Sequence, residues 1–205
     1  MLRNIALILI IAFSCKSSDE SVIVKEMHNK GTPKKIIYVS KQGFKTKEEV
    51  FYESGILSAR TLYSLHDGDS IIQETSYTEK GEKKATYYTV NKNPKKITLY
   101  NKKGGVFSEE IFHSDGKSES MFYWFENDKK KARFINDSLF EYYEKFYKDE
   151  NIQVRGRSKY GLEDSLWTFY SPEGELVQEI LYNQGKVIEK KVYDQAVVDS
   201  LFSDD

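Results

Sequence analysis

One thiol, three imidazoles and several carboxylate pairs are the groups of this chain with chemical potential. The thiol is Cys15, and the imidazoles are His28, His66 and His113. His66 and His113 each have an acid close by, Asp67 and Asp115, and histidine with carboxylate suits zinc. No closely spaced ligand set accompanies them, so they read as polar turn residues repeated along the chain. Glu48-Glu49, Glu109-Glu110 and Glu163-Asp164 supply acids in pairs. Cleavage of a glycosidic bond needs two carboxyls at a set separation in space, and adjacency in sequence does not provide that; strand and loop charge is the simpler reading. No serine lies in a nucleophile elbow. Gly104-Gly105 lacks the lysine and hydroxyl that follow a phosphate loop. The expectation is a non-enzymatic protein with no metal and no cofactor.

Cys15 has the more informative surroundings. Met1-Leu2-Arg3-Asn4 carries a positive charge, Ile5 to Phe13 is apolar, Ser14 is small, and Lys16-Ser17-Ser18-Asp19-Glu20 ends the run abruptly. A spanning helix needs about 20 apolar residues, so the stretch has the proportions of an export signal instead. Ala12-Phe13-Ser14-Cys15 resembles the lipobox of bacterial lipoproteins. The resemblance implies that residues 1–14 are a cleaved signal peptide and that Cys15 becomes the acylated, palmitate-bearing first residue. It also implies a chain anchored in the bacterial cell envelope, at the outer membrane. Several acyl chains hold a protein stably where one holds it marginally. The chain has no second cysteine, so packing alone must stabilise the exported part.

Composition bounds what that part is. Of 205 residues, 31% are charged and 14% aromatic, with a net charge of −1. Disordered chains are charged but poor in aromatics, so the combination describes strands with one wet and one aromatic face. Basic and acidic residues are interspersed, and no basic face strong enough for a nucleic-acid footprint can be read from this balance, so no nucleic-acid partner is expected. Lys34-Lys35, Lys95-Lys96 and Lys129-Lys130-Lys131 are short runs near turn signals and read as solvated charge.

The elements follow from a repeat. An aromatic followed shortly by a turn residue recurs as Tyr52 with Gly55, Tyr77 with Gly81, Tyr100 with Gly104, Phe125 with Lys129, Tyr147 with Asn151 and Tyr170 with Gly174, at spacings of 25, 23, 25, 22 and 23. Tyr38 with Gly43 precedes them by a half-step of 14. Between anchors stands a second aromatic, often before a second turn such as Asp67-Gly68, Asp115-Gly116 or Gln184-Gly185. Two short strands and two turns per unit make antiparallel hairpins. Period-2 alternation in Leu166 to Tyr170 sets Trp167 and Phe169 on one face and Leu166, Thr168 and Tyr170 on the other. Met121 to Phe125 is aromatic on both faces and belongs in a central or doubly covered strand.

These units resemble the MORN-like repeats of the YwqK-type toxin–antitoxin system antitoxin family. The best matches are Trp167-Thr168-Phe169-Tyr170-Ser171-Pro172-Glu173-Gly174-Glu175-Leu176, completed by Tyr182-Asn183-Gln184-Gly185-Lys186, and Val50-Phe51-Tyr52-Glu53-Ser54-Gly55-Ile56-Leu57. The middle units lose the glycine, at Lys129 and Asn151. The implied fold is mainly β, an elongated antiparallel meander of hairpins over residues 36–193. Residues 15–35 form a lipidated tether, with Val22-Ile23-Val24 as a candidate edge strand. Residues 194–205 form a tail in which Asp194 is a candidate N-cap of a short helix. Aromatics are in surplus, and Tyr123, Trp124 and Trp167 are the candidates for contacting a partner.

Three functions are compatible with this reading. The first is an envelope lipoprotein, held in the membrane through the lipid on Cys15, whose sheet binds a protein or envelope component or acts as a scaffold. The second, implied by the resemblance alone, is an antitoxin-like protein that neutralises a toxin partner. The third, ranked lowest, is a protein that binds or acts on envelope glycans.

Overall fold

A computed structural model describes residues 20–123, 129–137 and 139–201. The chain divides after Gly104 into two compact units. In the first, β1 (Glu20–Met27), β2 (Pro33–Ser40), β3 (Lys45–Phe51), β4 (Leu57–His66), β5 (Asp69–Tyr77), β6 (Lys83–Val90) and β7 (Asn93–Tyr100) pair antiparallel, each with the next. In the second the same rule joins β8 (Val106–Phe112), β9 (Ser118–Tyr123), β10 (Lys130–Asn136), β11 (Phe140–Phe146), β12 (Ile152–Lys159), β13 (Leu162–Tyr170), β14 (Leu176–Asn183) and β15 (Lys186–Val192). A helix, α1 (Gln195–Leu201), follows and packs on β14. The mainly β, hairpin-built meander expected from the repeat is the fold of both units.

Two turn chemistries produce it. At Asp67-Gly68, Asn91-Lys92, Tyr160-Gly161 and Gln184-Gly185 both central residues have positive φ, the two-residue turn whose twist matches that of antiparallel strands. The other kind is wider. In it Ser40 N–H donates to Phe44 O at 2.8 Å, and Gly43 N–H donates back to Ser40 O at 2.9 Å. The same two bonds recur at Tyr52–Ile56, Thr78–Glu82 and Ser171–Glu175. The fourth residue of each wide turn must adopt the left-handed region, which glycine does at little steric cost. The turn at Tyr147–Asn151 departs from the sequence expectation. Its left-handed residue is Glu150 at φ 74, not Asn151, and the Asn151 amide donates to Pro172 O at 2.8 Å instead.

The repeated tyrosine now has a physical meaning. Tyr52 Oη donates to Tyr77 O at 2.8 Å, and Tyr147 Oη donates to Tyr170 O at 2.7 Å. In both, the anchor of one repeat bonds the backbone of the next.

One boundary also moves. The expected edge strand at Val22-Ile23-Val24 grows into β1, which pairs along β2 from Glu20, so the sheet begins inside the stretch read as tether. At the other end Asp194 caps α1 as expected, accepting from Val197 N–H at 3.1 Å.

Apart from α1 on β14, nothing among the described residues packs over the strands. The buried apolar set is accordingly short: Ala85 in the first unit, and Ala132, Phe146, Val154, Val177, Ile180 and Val198 in the second. Both sheet faces carry polar networks to compensate. On the first unit Tyr38 Oη donates to Glu49 at 2.7 Å, and Arg60 Nε donates to the other oxygen of that carboxylate at 2.8 Å. Burial alone would raise the Glu49 pKa; hydrogen bonds from Tyr38 and Arg60 and the charges of Lys47 and Arg60 override it and hold the carboxyl below its usual range.

Candidate functional site

Cys15 and Trp124 lie outside the described residues. Tyr123 and Trp167 lie within them, and both are engaged by the sheet. The Tyr123 hydroxyl donates to Glu109 at 2.9 Å. Burial first, and then the Glu109 carboxylate, push its pKa up to about 12. Its strand, β9, lies between β8 and β10, the central placement that its aromatic content called for.

Trp167 belongs to a row of rings across one face of the second unit. Phe107, Phe122, Phe134, Tyr143, Trp167 and Tyr182 follow one another with centroids 4.9 to 6.2 Å apart. Each ring comes from a different strand, and between β8 and β14 only β12 contributes none. It contributes Gly156 instead, which pairs with Tyr143. The Trp167 indole lies over that glycine so closely that an added Cβ would sit 2.0 Å from its Cδ2. Trp167 Nε1 donates to Arg157 O at 3.1 Å, fixing the ring in place. A glycine in a strand interior commonly marks such a close approach. The face assignment for Trp167 read from alternation is thus correct, and its indole serves packing within the sheet.

The opposite face of the same strands carries what sequence reasoning missed. Strand pairing builds one row of Met121, Arg133, Glu144, Arg155 and Thr168, and a second of Glu119, Ile135, Tyr142, Arg157 and Asp164. All of these but Met121, Glu119 and Asp164 line a concavity of about 470 Å³, to which Leu166 and Ser165 also contribute; that size lies in the range of small-ligand sites. Arg133 is answered by Glu119 at 2.8 Å and Glu144 at 3.4 Å. Arg157 is answered by Asp164 at 2.8 Å, also meets the Ser165 hydroxyl, and its cation sits 4.2 Å from the Phe140 ring centroid. The Arg157 hydrogen bond holds the Asp164 carboxyl below its usual range. Arg155 differs. Its guanidinium approaches the Tyr170 ring, at 5.4 Å from the centroid, and among the described residues meets no carboxylate. The signal for this site was present in Arg155-Gly156-Arg157, since period-2 alternation puts both arginines on one face and the glycine on the other.

Chemically the concavity offers one uncommitted guanidinium, an adjacent threonine hydroxyl, a carboxylate acceptor and apolar walls. That is equipment for holding an anion by charge-assisted hydrogen bonds. His66 and His113 contribute nothing to it: His66 contacts Asp67 at 3.3 Å beside its two-residue turn, and His113 opens the turn that closes on Lys117. Among the described residues no group of three or more histidines, cysteines or acids is placed to hold a metal.

Fold and site together define a mainly β protein of tandem hairpins whose sheet presents a ligand-sized, arginine-lined hollow. No family model matches the chain, and no curated protein matches it. Among solved structures it is similar to one titled "Crystal Structure of TcdB2-TccC3-TEV", at 11% identity and a TM-score of 0.27. The match covers 78% of this chain and 9% of that one; so low a score carries no argument about fold or activity.

Proposed function

We propose that this chain is a lipid-anchored lipoprotein of the bacterial envelope that works by binding, not by catalysis. The observation that carries the reading is Cys15, the chain's one cysteine, which follows a basic start, a nine-residue apolar run and the small residue Ser14. The display half is supported by a sheet with little covering it and by a concavity equipped for holding a ligand. No helix among the described residues is long and apolar enough to cross a membrane.

The anchor is tested by acyl labelling. Wild type should take up labelled palmitate and sediment with membranes; Cys15→Ala should do neither. A mutant that stays labelled and membrane-bound would show the lipoprotein reading to be wrong.

The MORN-like, antitoxin-like reading keeps a place beside it through the tyrosine–turn–glycine pattern, best seen at Tyr52–Gly55 and Trp167–Gly174. An exported chain cannot reach a cytoplasmic toxin. Recovery of the unprocessed chain from the cytoplasm would therefore favour neutralisation of a toxin over envelope display.

A further inference from the structure

We infer that the concavity between β10 and β13 is a binding site for an acidic sugar, a ring that carries one carboxylate and several hydroxyls. The inference rests on the proposed role in binding and gives it a ligand class.

Charge decides the ligand's sign and valence. Three arginines and three carboxylates serve this surface: Arg133, Arg155 and Arg157 with Glu119, Glu144 and Asp164. The ion pairs engage Arg133 with Glu119 and Glu144, and Arg157 with Asp164. Arg155 is left over, although Glu144 is its direct partner across β11 and β12, because Glu144 faces Arg133. One guanidinium offers the planar fork that a carboxylate accepts in two parallel bonds. A dianionic phosphate would need a second uncommitted cation, and none lines the hollow.

The remaining groups decide the body that bears the carboxylate. Thr168 is the register partner of Arg155 on β13, and its hydroxyl has no hydrogen-bond partner among the described residues. Glu144 adds an acceptor at the other side of Arg155. A donor, a hydroxyl and an acceptor in one row suit a ligand with hydroxyls of its own; a plain aliphatic acid would leave the Thr168 and Glu144 groups desolvated without new bonds. The walls are Tyr142, 43% exposed, and Leu166, 47% exposed. The Tyr142 ring is a flat apolar surface against which the C–H face of a sugar ring can pack, and Leu166 adds aliphatic surface beside it. Tyr142 is the register partner of Arg157 across β11 and β12, so the ladder holds that wall in place before a ligand arrives.

The test is saturation-transfer NMR on the full chain, with glucuronate as probe. Glucose, glucose 6-phosphate and N-acetylalanine serve as the neutral, dianionic and non-sugar comparisons. Glucuronate should give transfer to its ring hydrogens with millimolar affinity, and the three comparisons should bind at least several-fold more weakly. Arg155→Met should weaken glucuronate about tenfold or more, as loss of a hydrogen bond to a charged group does. Arg155→Lys should keep part of it. Arg155 is exposed, so these variants leave the fold intact, and an unchanged thermal midpoint verifies that. Absence of glucuronate binding, equal binding of glucose, or indifference to Arg155→Met would overturn the site. Equal binding of N-acetylalanine would overturn the sugar, and tighter binding of glucose 6-phosphate would overturn the single charge. Acyl labelling of Cys15 is read separately, so loss of the ligand and loss of the anchor are told apart.

Discussion

At the scale of single residues, Gly156 carries the largest constraint in the second unit. Tyr143 and Trp167 reach across β12 to come within 6.0 Å of each other, centroid to centroid, and only a residue without a Cβ leaves room for the indole between. Gly156→Ala should therefore destabilise the protein by about 1–3 kcal/mol, the range for forcing extra volume into a packed site. The indole is too rigid to yield without losing its bond to Arg157 O. Denaturant unfolding measures the cost. A second variant identifies the cause: in a Trp167→Ala background, Gly156→Ala should be harmless or stabilising, because alanine costs less conformational entropy than glycine in a strand. Equal costs in both backgrounds would show that the clash with Trp167 is not the reason. Legibility at this scale was uneven. Cys15 lies outside the described residues, and its proposed acylation rests on flanking sequence alone. The Arg155 site was not legible in that way, since its meaning comes from Glu144 facing away to Arg133 on a third strand, a choice that no spacing within one strand reveals.

At the scale of elements, the sheet relies on tyrosine–carboxylate pairs where a two-layer protein would use a core. Tyr38 on β2 and Tyr123 on β9 each donate to a glutamate of the neighbouring strand, and the pKa of each is pushed up to about 12, by burial first and then by the carboxylate. An unfolded tyrosine releases its proton near pH 10. Between roughly pH 10 and 12 the folded chain thus holds protons that the unfolded chain has lost, and stability falls as pH rises through that window. Tyr38→Phe should make that fall shallower, while stability below pH 9 drops by about 1–3 kcal/mol for the lost hydrogen bond to a charged group. Chemical denaturation from pH 8 to 12 reads both effects, and an unchanged alkaline slope would remove Tyr38 as a contributor. The elements themselves were largely legible, because wide turns with glycine fourth and alternating strands are local signals. Residues 147–151 were misread by one position, since Glu150 takes the left-handed conformation despite its side chain, a cost of about 1–2 kcal/mol that the Tyr147 and Asn151 bonds to the next hairpin help offset. The start of β1 was missed for a related reason. Its polar, exposed sequence resembles a linker, and only the ladder along β2 makes it a strand.

At the scale of the whole molecule, the same rule governs both units: within each, every strand pairs with its sequence neighbours, and among the described residues little lies above or below. A protein built this way has no single centre whose loss unfolds everything. Its free energy is a sum of cross-strand pairs worth about 0.2–1 kcal/mol each, accumulated as in other repeat architectures. Strands with one partner should then open more readily than strands with two. β15 pairs only with β14 among the described residues, and all seven of its side chains are exposed, Val187 and Ile188 at 56% and 59%. β1 likewise pairs only with β2. Strands β11 to β13, by contrast, have partners on both sides and lie under the ring row. Amide hydrogen exchange under native conditions should reveal a gradient, with β1 and β15 exchanging by local fraying and β11 to β13 close to the slowest rates in their unit. The hollow around Arg155 sits on those slow strands, a rigid footing that a binding site requires. Uniform protection from β11 through β15 would contradict the additive picture and require a cooperative core that the short list of buried side chains does not supply.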